Sequence, residues 1–230
     1  MDKSGKLYII ATPIGNLGDI SLRALEVLKN CDIIACEDTR VTARLLARHK
    51  ISRPLTIYNS AHEIRQSNVL LEKLKLGKEV ALVSDAGTPT LSDPGFRLVR
   101  ACRREGIEVL PVPGASAAIA ALSVSGLPAM SFLFLGFLPH KSSIRRRMFQ
   151  QYKEYPHTII FYESCHRIEK FLPEAREELG DSRWACIAQE MTKMHETYIT
   201  RTLGEINDRA LYLPAKGEFV ILIANKNFSL

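Results

Sequence analysis

No C-x-x-C pair occurs in the sequence, and its five cysteines (Cys31, Cys36, Cys102, Cys165, Cys186) are scattered and odd in number. That usage fits free thiols in a reducing cytoplasm better than a disulfide framework. The six histidines show no ligand spacing, and Ala61-His62-Glu63 does not continue to a second histidine, so a zincin is excluded and no metal is expected. No G-x-G-x-x-G follows a strand pattern and no G-x-x-x-x-G-K-[ST] occurs, which argues against the usual dinucleotide and P-loop folds. Charge is missing from Val109 through Pro139, but Pro111, Pro113, Gly114, Gly126 and Pro128 break that run. It therefore reads as buried strand, buried helix, linker and new strand rather than a membrane span. The N-terminal MDKSGKLYII has no signal-peptide layout, so the cytoplasm is the expected location.

What is present is an alternation of strand and helix patterns over 230 residues that are 46% hydrophobic, enough for a sizeable core. The organising stretch is Lys78–Gly95, KEVALVSDAGTPTLSDPG. Val80–Val83 is a short apolar run suited to a strand buried on both faces. A loop of small and polar residues follows, and then a helix that Asp93 is expected to N-cap with Pro94 in its first position. In an open α/β sheet, ligands bind just beyond the carboxyl ends of the strands.

Around it, strands are expected at Leu7–Ala11, Asp32–Cys36, Leu55–Tyr58 and Ile107–Val112, with helices after Asp19 or Ser21, at Thr39–His49 and at Glu63–Leu76. This predicts a mostly parallel sheet. From Ser131 onward the elements are a strand to Phe137, a basic helix at Ser142–Tyr152, a strand at Thr158–Tyr162 and a helix at Arg167–Leu179. Three strand patterns follow with short connections, at Trp184–Gln189, Glu196–Arg201 and Glu218–Ala224, which suits a mixed sheet. The expectation is an α/β protein of two domains, 1–126 and 127–230.

Six motifs stand in order: Leu7-Tyr-Ile-Ile-Ala-Thr-Pro-Ile-Gly-Asn-Leu-Gly-Asp-Ile20, Glu37-Asp-Thr-Arg40, Leu82-Val-Ser-Asp-Ala-Gly-Thr-Pro89 with Ser92-Asp-Pro-Gly95, Pro113-Gly-Ala-Ser116, Gly136-Phe-Leu-Pro139 and Phe161-Tyr-Glu-Ser164. Together they resemble the ribosomal RNA small subunit methyltransferase I family, a branch of the tetrapyrrole methylase-like, class III methyltransferase superfamily. The resemblance spans nearly the whole chain. It implies a tetrapyrrole methylase-like fold, a homodimer, and S-adenosylmethionine in the cleft between the two domains. It also implies 2′-O-methylation of a cytidine ribose in the decoding region of 16S rRNA, within the small ribosomal subunit. Many relatives resemble this core but carry a further C-terminal helical segment after Lys216-Gly-Glu-Phe219 and its strand. Two other classes stay open: a methyltransferase acting on a tetrapyrrole-like small molecule, and a non-catalytic ribosome-assembly factor.

By resemblance, Asp85, Thr88, Pro89, Ser116 and Ala117 match cofactor-lining positions, as do Pro13, Met191 and Gly217; Ala86 and Gly87 complete the turn. Methyl transfer from a sulfonium needs alignment of the reactants and no acid for the leaving thioether. The acceptor hydroxyl must lose a proton, so a base is needed. Glu37, Asp38, His62 and Glu163 all follow strand patterns; Asp38 is the preferred base and Glu163 the second.

The formal charge is +6, and no acidic residue lies between Thr39 and His62. Arg40, Arg44 and Arg48 share one helix face, Arg97, Arg100 and Arg104 form a second row, and Lys141 with Arg145, Arg146 and Arg147 forms a third cluster. Guanidinium forks suit phosphate, so these are the candidate RNA contacts.

Overall fold

The computed structural model describes residues 4–209 and 217–230 and divides into two compact units, Met1–Ser116 and Ala117–Leu230. Lys216 lies outside the described residues.

The first unit is a parallel five-stranded sheet of β1 (Lys6–Ile10), β2 (Ile33–Cys36), β3 (Leu55–Ile57), β4 (Val80–Val83) and β5 (Glu108–Val112), in the order β3-β2-β4-β1-β5. Helices α1 (Leu22–Asn30), α2 (Thr39–Arg48), α3 (Glu63–Lys75) and α4 (Phe96–Arg104) connect the strands. All four residues of β4 are buried, because side chains alternate between two cores. Ala81 and Val83 pack with Leu28 of α1 and Leu45 of α2, whereas Val80 and Leu82 pack with Leu70 of α3 and Leu98 of α4. Ser21 caps α1 by accepting the Ala24 amide at 3.1 Å.

Helix α4 departs from expectation. Asp93 is not its cap: the helix begins at Phe96, with Gly95 as N-cap. Gly95 sits at φ 140°, and a Cβ there would stand 2.7 Å from Thr90 Cγ2 and 2.8 Å from Leu82 Cδ2, so only glycine fits. Without a side chain at the cap, the free amides turn to another element. Glu63, the first residue of α3, accepts from the Gly95 amide at 3.0 Å and the Arg97 amide at 3.4 Å.

The second unit begins with α5 (Ala117–Val124) and carries a mixed sheet of β6 (Phe132–Phe137), β7 (Thr158–Ser164), β8 (Trp184–Gln189), β9 (Thr197–Thr202) and β10 (Glu218–Ile223). Its order is β6-β7-β10-β8-β9; only β6 and β7 run parallel. Helices α6 (Ser142–Gln151), α7 (Ile168–Leu179) and α8 (Leu203–Arg209) complete it, with Phe149, Phe171, Leu203, Phe161 and Ile221 in one core. The chain divides after Ser116 rather than after residue 126 because α5 packs on β7 and β10. Among the described residues, no helix is long and apolar enough to cross a membrane.

Candidate active site

The loop after β4 folds back onto the end of β1. The Thr12 amide donates to the Gly87 carbonyl at 2.9 Å, and the Gly87 amide donates to the Thr12 carbonyl at 3.0 Å. The Thr12 hydroxyl donates to the Ser84 carbonyl at 3.0 Å. Thr12 is 3% exposed, so leaving one of these buried groups unpaired would cost about 1–3 kcal/mol. Gly87 supplies the left-handed φ of 79° that the turn needs. On the other side, the Thr88 hydroxyl donates to the Ala115 carbonyl at 3.2 Å. The loops beyond β4, β1 and β5, three neighbouring strands, are thus locked together. Further along, Thr90 at φ 75° and Ser92 at φ 67° occupy left-handed conformations without being glycine. Such strain gathers at functional sites. A cavity of about 260 Å³ opens beside the loop, lined by Thr12, Pro13, Val41, Arg44, Ser84 and Asp85 among others.

The end of β2 faces the same loop. The Asp38 amide donates to Asp85 Oδ1 at 3.1 Å. The Asp38 carboxylate accepts from the Arg40 amide at 2.8 Å and from Arg40 Nη2 at 2.6 Å. These bonds cap α2 and hold the Asp38 carboxyl down at about 2, too acidic for an effective base near neutrality. Its neighbour behaves oppositely. Burial, then the nearby Asp93 and Asp85 carboxylates, push Glu37 up to about 7 against the Asp85 amide. Burial also raises Asp85, opposed by the Asp38 amide. Of the two adjacent acids, Glu37 has the basicity of a general base and Asp38 is committed to the helix end.

Glu163 is also removed from the expected role. Its side chain is 0% exposed at the end of β7, with Oε2 3.1 Å from Arg167 Nη2. Its Oε1 accepts the Ser164 amide at 2.8 Å, and burial raises its pKa. Arg167 Nη2 also donates to the Leu138 carbonyl at 2.6 Å. The pair braces the strand end and offers no carboxylate to a substrate. His62 is exposed, with Nδ1 2.8 Å from Asn59 Oδ1.

The remaining expected cofactor residues fall into two groups. Pro13 lines the cavity with Asp85, while Ala86, Gly87, Thr88 and Pro89 form the locked turn. Ser116 closes the first unit and Ala117 starts α5. In the second unit Met191 is buried in the turn after β8, between Glu190 at φ 51° and Thr192 at φ 63°. Gly217 lies against that turn at φ 87°; a Cβ there would overlap the Glu190 carboxylate.

The basic clusters separate by burial. Arg40 pairs with Asp38, whereas Arg44 and Arg48 are exposed along α2. Arg145 is 3% exposed and donates to both Glu174 oxygens, Nε at 2.6 Å and Nη2 at 2.7 Å. It cannot reach RNA from there: consecutive helix residues face different directions, and position 145 faces the core. Arg146 pairs with Glu177 at 2.6 Å and Glu178 at 3.0 Å, which leaves Lys141 and Arg147 as the exposed cations of that cluster. Sequence reasoning missed Thr12 and Glu63 as organisers; Thr12-Pro13 after an apolar strand is the only signal either leaves.

Residues 6–207 match the family described as Tetrapyrrole (Corrin/Porphyrin) Methylases. The chain is similar to the ribosomal RNA small subunit methyltransferase I of Haemophilus influenzae, 47% identical over 227 residues, covering 98% of this chain and 80% of that one. It is also similar to that of Xylella fastidiosa, 48% identical over 225 residues, covering 97% and 82%. Among solved structures it resembles uroporphyrin-III C-methyltransferase of Thermus thermophilus complexed with S-adenosylhomocysteine, with TM-score 0.65 and 19% identity over 95% of this chain and 97% of that one. That last likeness speaks to the fold alone.

Proposed function

The chain belongs to the tetrapyrrole methylase family and, within it, to the ribosomal RNA small subunit methyltransferase I branch, and on that premise we propose that it methylates the 2′-hydroxyl of a cytidine in the decoding region of 16S rRNA, in the cytoplasm, using S-adenosylmethionine. The observation that carries this reading is 47% identity to a relative of that name across 98% of the chain. The structural neighbours that act on tetrapyrroles are far more distant, at 19% in the case above.

S-adenosylmethionine, when bound, supplies a methyl group on a sulfonium. The residues fit such a ligand. Asp85 and Ala86 are exposed at the locked turn, and Gly87 to Pro89 are held by bonds made within the protein. That turn therefore pays little ordering cost on binding. We assign the hold on the cofactor to this turn and Pro13, with Ser116, Ala117, Met191 and Gly217 as further contacts. Glu37 is the base that takes the proton from the acceptor hydroxyl. Arg44, Arg48, Lys141 and Arg147 are the phosphate contacts.

The active form is a homodimer in this reading. In the second unit β6 is an edge strand whose Phe132 and Phe137 are exposed, and Met130, Ile119 and Val124 are exposed nearby in sequence. Apolar surface of that kind is characteristic of a subunit interface.

The test is transfer of a labelled methyl group from S-adenosylmethionine to 30S subunits, with the modified nucleotide mapped. Label on a cytidine 2′-oxygen is the expected result. Label on a tetrapyrrole instead, or on neither substrate, defeats the reading.

A further inference from the structure

A second cavity, of about 470 Å³, lies where the start of α3 meets the end of the β4–α4 loop. That volume is ample for a small organic ligand. Its wall includes Ser60, Glu63, Asp93, Phe96, Arg97 and Arg100. Three features mark it. Phe96 is 64% exposed, so its ring rests against solvent rather than core. Arg100 lies four residues on and Arg104 eight, which puts all three on one face of α4. Both arginines are exposed. The wall beneath is rigid: Glu63 takes the Gly95 and Arg97 amides, and the Tyr58 hydroxyl donates to it at 3.4 Å. Ser92, Asp93 and Pro94 of the wall belong to the same β4–α4 loop as Asp85 and the locked turn, so the cavity shares that loop with the assigned cofactor hold.

An exposed ring, a row of guanidiniums and polar groups in a cavity together form the chemistry that reads single-stranded RNA. Bases stack on aromatic faces, phosphates meet arginines, and polar side chains meet the base edges. We propose that this cavity holds the base of an RNA nucleotide flanking the methylated one, stacked on Phe96, with the adjoining phosphates on Arg100 and Arg104. The inference rests on the RNA reading above and names its docking face. The ring supplies sequence-tolerant affinity, and the arginines supply salt-dependent affinity.

The test uses the full chain and two probes, a short single-stranded oligoribonucleotide and 30S subunits. Phe96→Ala should weaken oligoribonucleotide binding about tenfold, the scale of one lost stacking contact, and Phe96→Trp should restore it. Arg100→Glu should weaken binding and make its logarithmic salt dependence shallower by about one, the contribution of one phosphate contact. Melting temperature and S-adenosylmethionine affinity should stay unchanged in all three. If the wild-type chain binds the oligoribonucleotide and the variants match it in affinity and salt dependence, the cavity assignment is wrong while the RNA reading stands. Variants that lose 30S binding but keep oligoribonucleotide binding would show a protein partner on this face, which also overturns the assignment. A wild-type chain that binds neither probe overturns both readings.

Discussion

The amide of Asp38 donates to Oδ1 of Asp85 across 3.1 Å, tying the end of β2 to the loop that follows β4. This one bond joins two sequence motifs 47 residues apart, beside two adjacent acids of opposite behaviour. Asp38 turns its carboxylate outward to Arg40 and α2, while Glu37 is left half-buried beside Asp85 and Asp93.

The first prediction concerns pH. A base must be ionised to accept a proton, so methyl transfer should rise through about pH 7, where Glu37 titrates, and level off above it. Glu37→Gln should lower kcat by about 10²–10⁴-fold and remove that limb. The stability sign is opposite to that of a salt-bridged acid. The folded state raises this pKa, so it binds more protons than the unfolded chain between the ordinary carboxyl value and 7, and stability falls as pH rises through that window. Glu37→Gln should therefore melt higher than wild type at pH 8 and no higher at pH 4. A flat rate profile across pH 6–8 would remove Glu37 from the mechanism.

The second addresses the cofactor turn. Thr88→Trp both loses the bond to the Ala115 carbonyl and fills the space beside the turn. S-adenosylmethionine affinity should drop at least tenfold, about 1.4 kcal/mol. Calorimetry on a folded variant with undiminished affinity would contradict the assignment of Asp85–Pro89.

A third separates backbone strain from steric conflict. Gly106 sits at φ 69° with open space around it, so Gly106→Ala should cost only the left-handed penalty, about 1–2 kcal/mol. Gly95→Ala adds overlap with Thr90 and Leu82 and should cost clearly more. Urea unfolding of the two variants compares them directly; equal losses would mean the loop gives way at Thr90.

The fourth divides the 145–147 cluster. Arg145→Met strands Glu174, which is 7% exposed, and should destabilise the fold by about 3–5 kcal/mol. Arg147→Glu should leave melting unchanged and weaken RNA binding. The double change Arg145→Met with Glu174→Met should recover most of the loss, since a buried ion pair and a well-packed apolar pair are often comparable. Failure of the double variant to recover would mean that the bonds from Arg145 to the Pro139 and His140 carbonyls matter more than the pair.

The fifth tests association. Met130→Glu and Val124→Glu place charges on exposed positions, so they should dissociate a dimer without unfolding the chain. Light scattering of the wild type at micromolar concentration showing one species near 25.8 kDa would refute the dimer outright.

Legibility in the sequence followed locality. Strands such as β1, β2, β4 and β10 were readable because each is a short apolar run, a pattern that burial imposes on consecutive residues, whereas β9, TYITRT, is mostly polar. The alternation of strands with helical patterns in the first half implied parallel pairing, and the short connections in the second implied the antiparallel pairs. The turn Asp85–Pro89 was recognisable from small residues following a doubly buried strand, together with the family motifs. Helix α8 was not, because Leu203–Arg209 is short and follows β9 without a break.

Tertiary structure alone decided what each charged residue does. Glu37 and Asp38 are adjacent acids in the same motif, yet burial in the fold, with Asp93 and Asp85 brought in from another loop, pushes one up to about 7 while Arg40 holds the other at about 2. Arg145, Arg146 and Arg147 read as one basic cluster, yet helix geometry sends the first into the core against Glu174 and leaves the last in solvent. Asp93 read as a cap, but the amides it was expected to satisfy are met by Glu63 from a different helix. Apolar periodicity is a property of the chain itself, so it survives in one dimension. A carboxylate's basicity and a guanidinium's availability depend on neighbours brought from tens of residues away, and those exist only once the chain has folded.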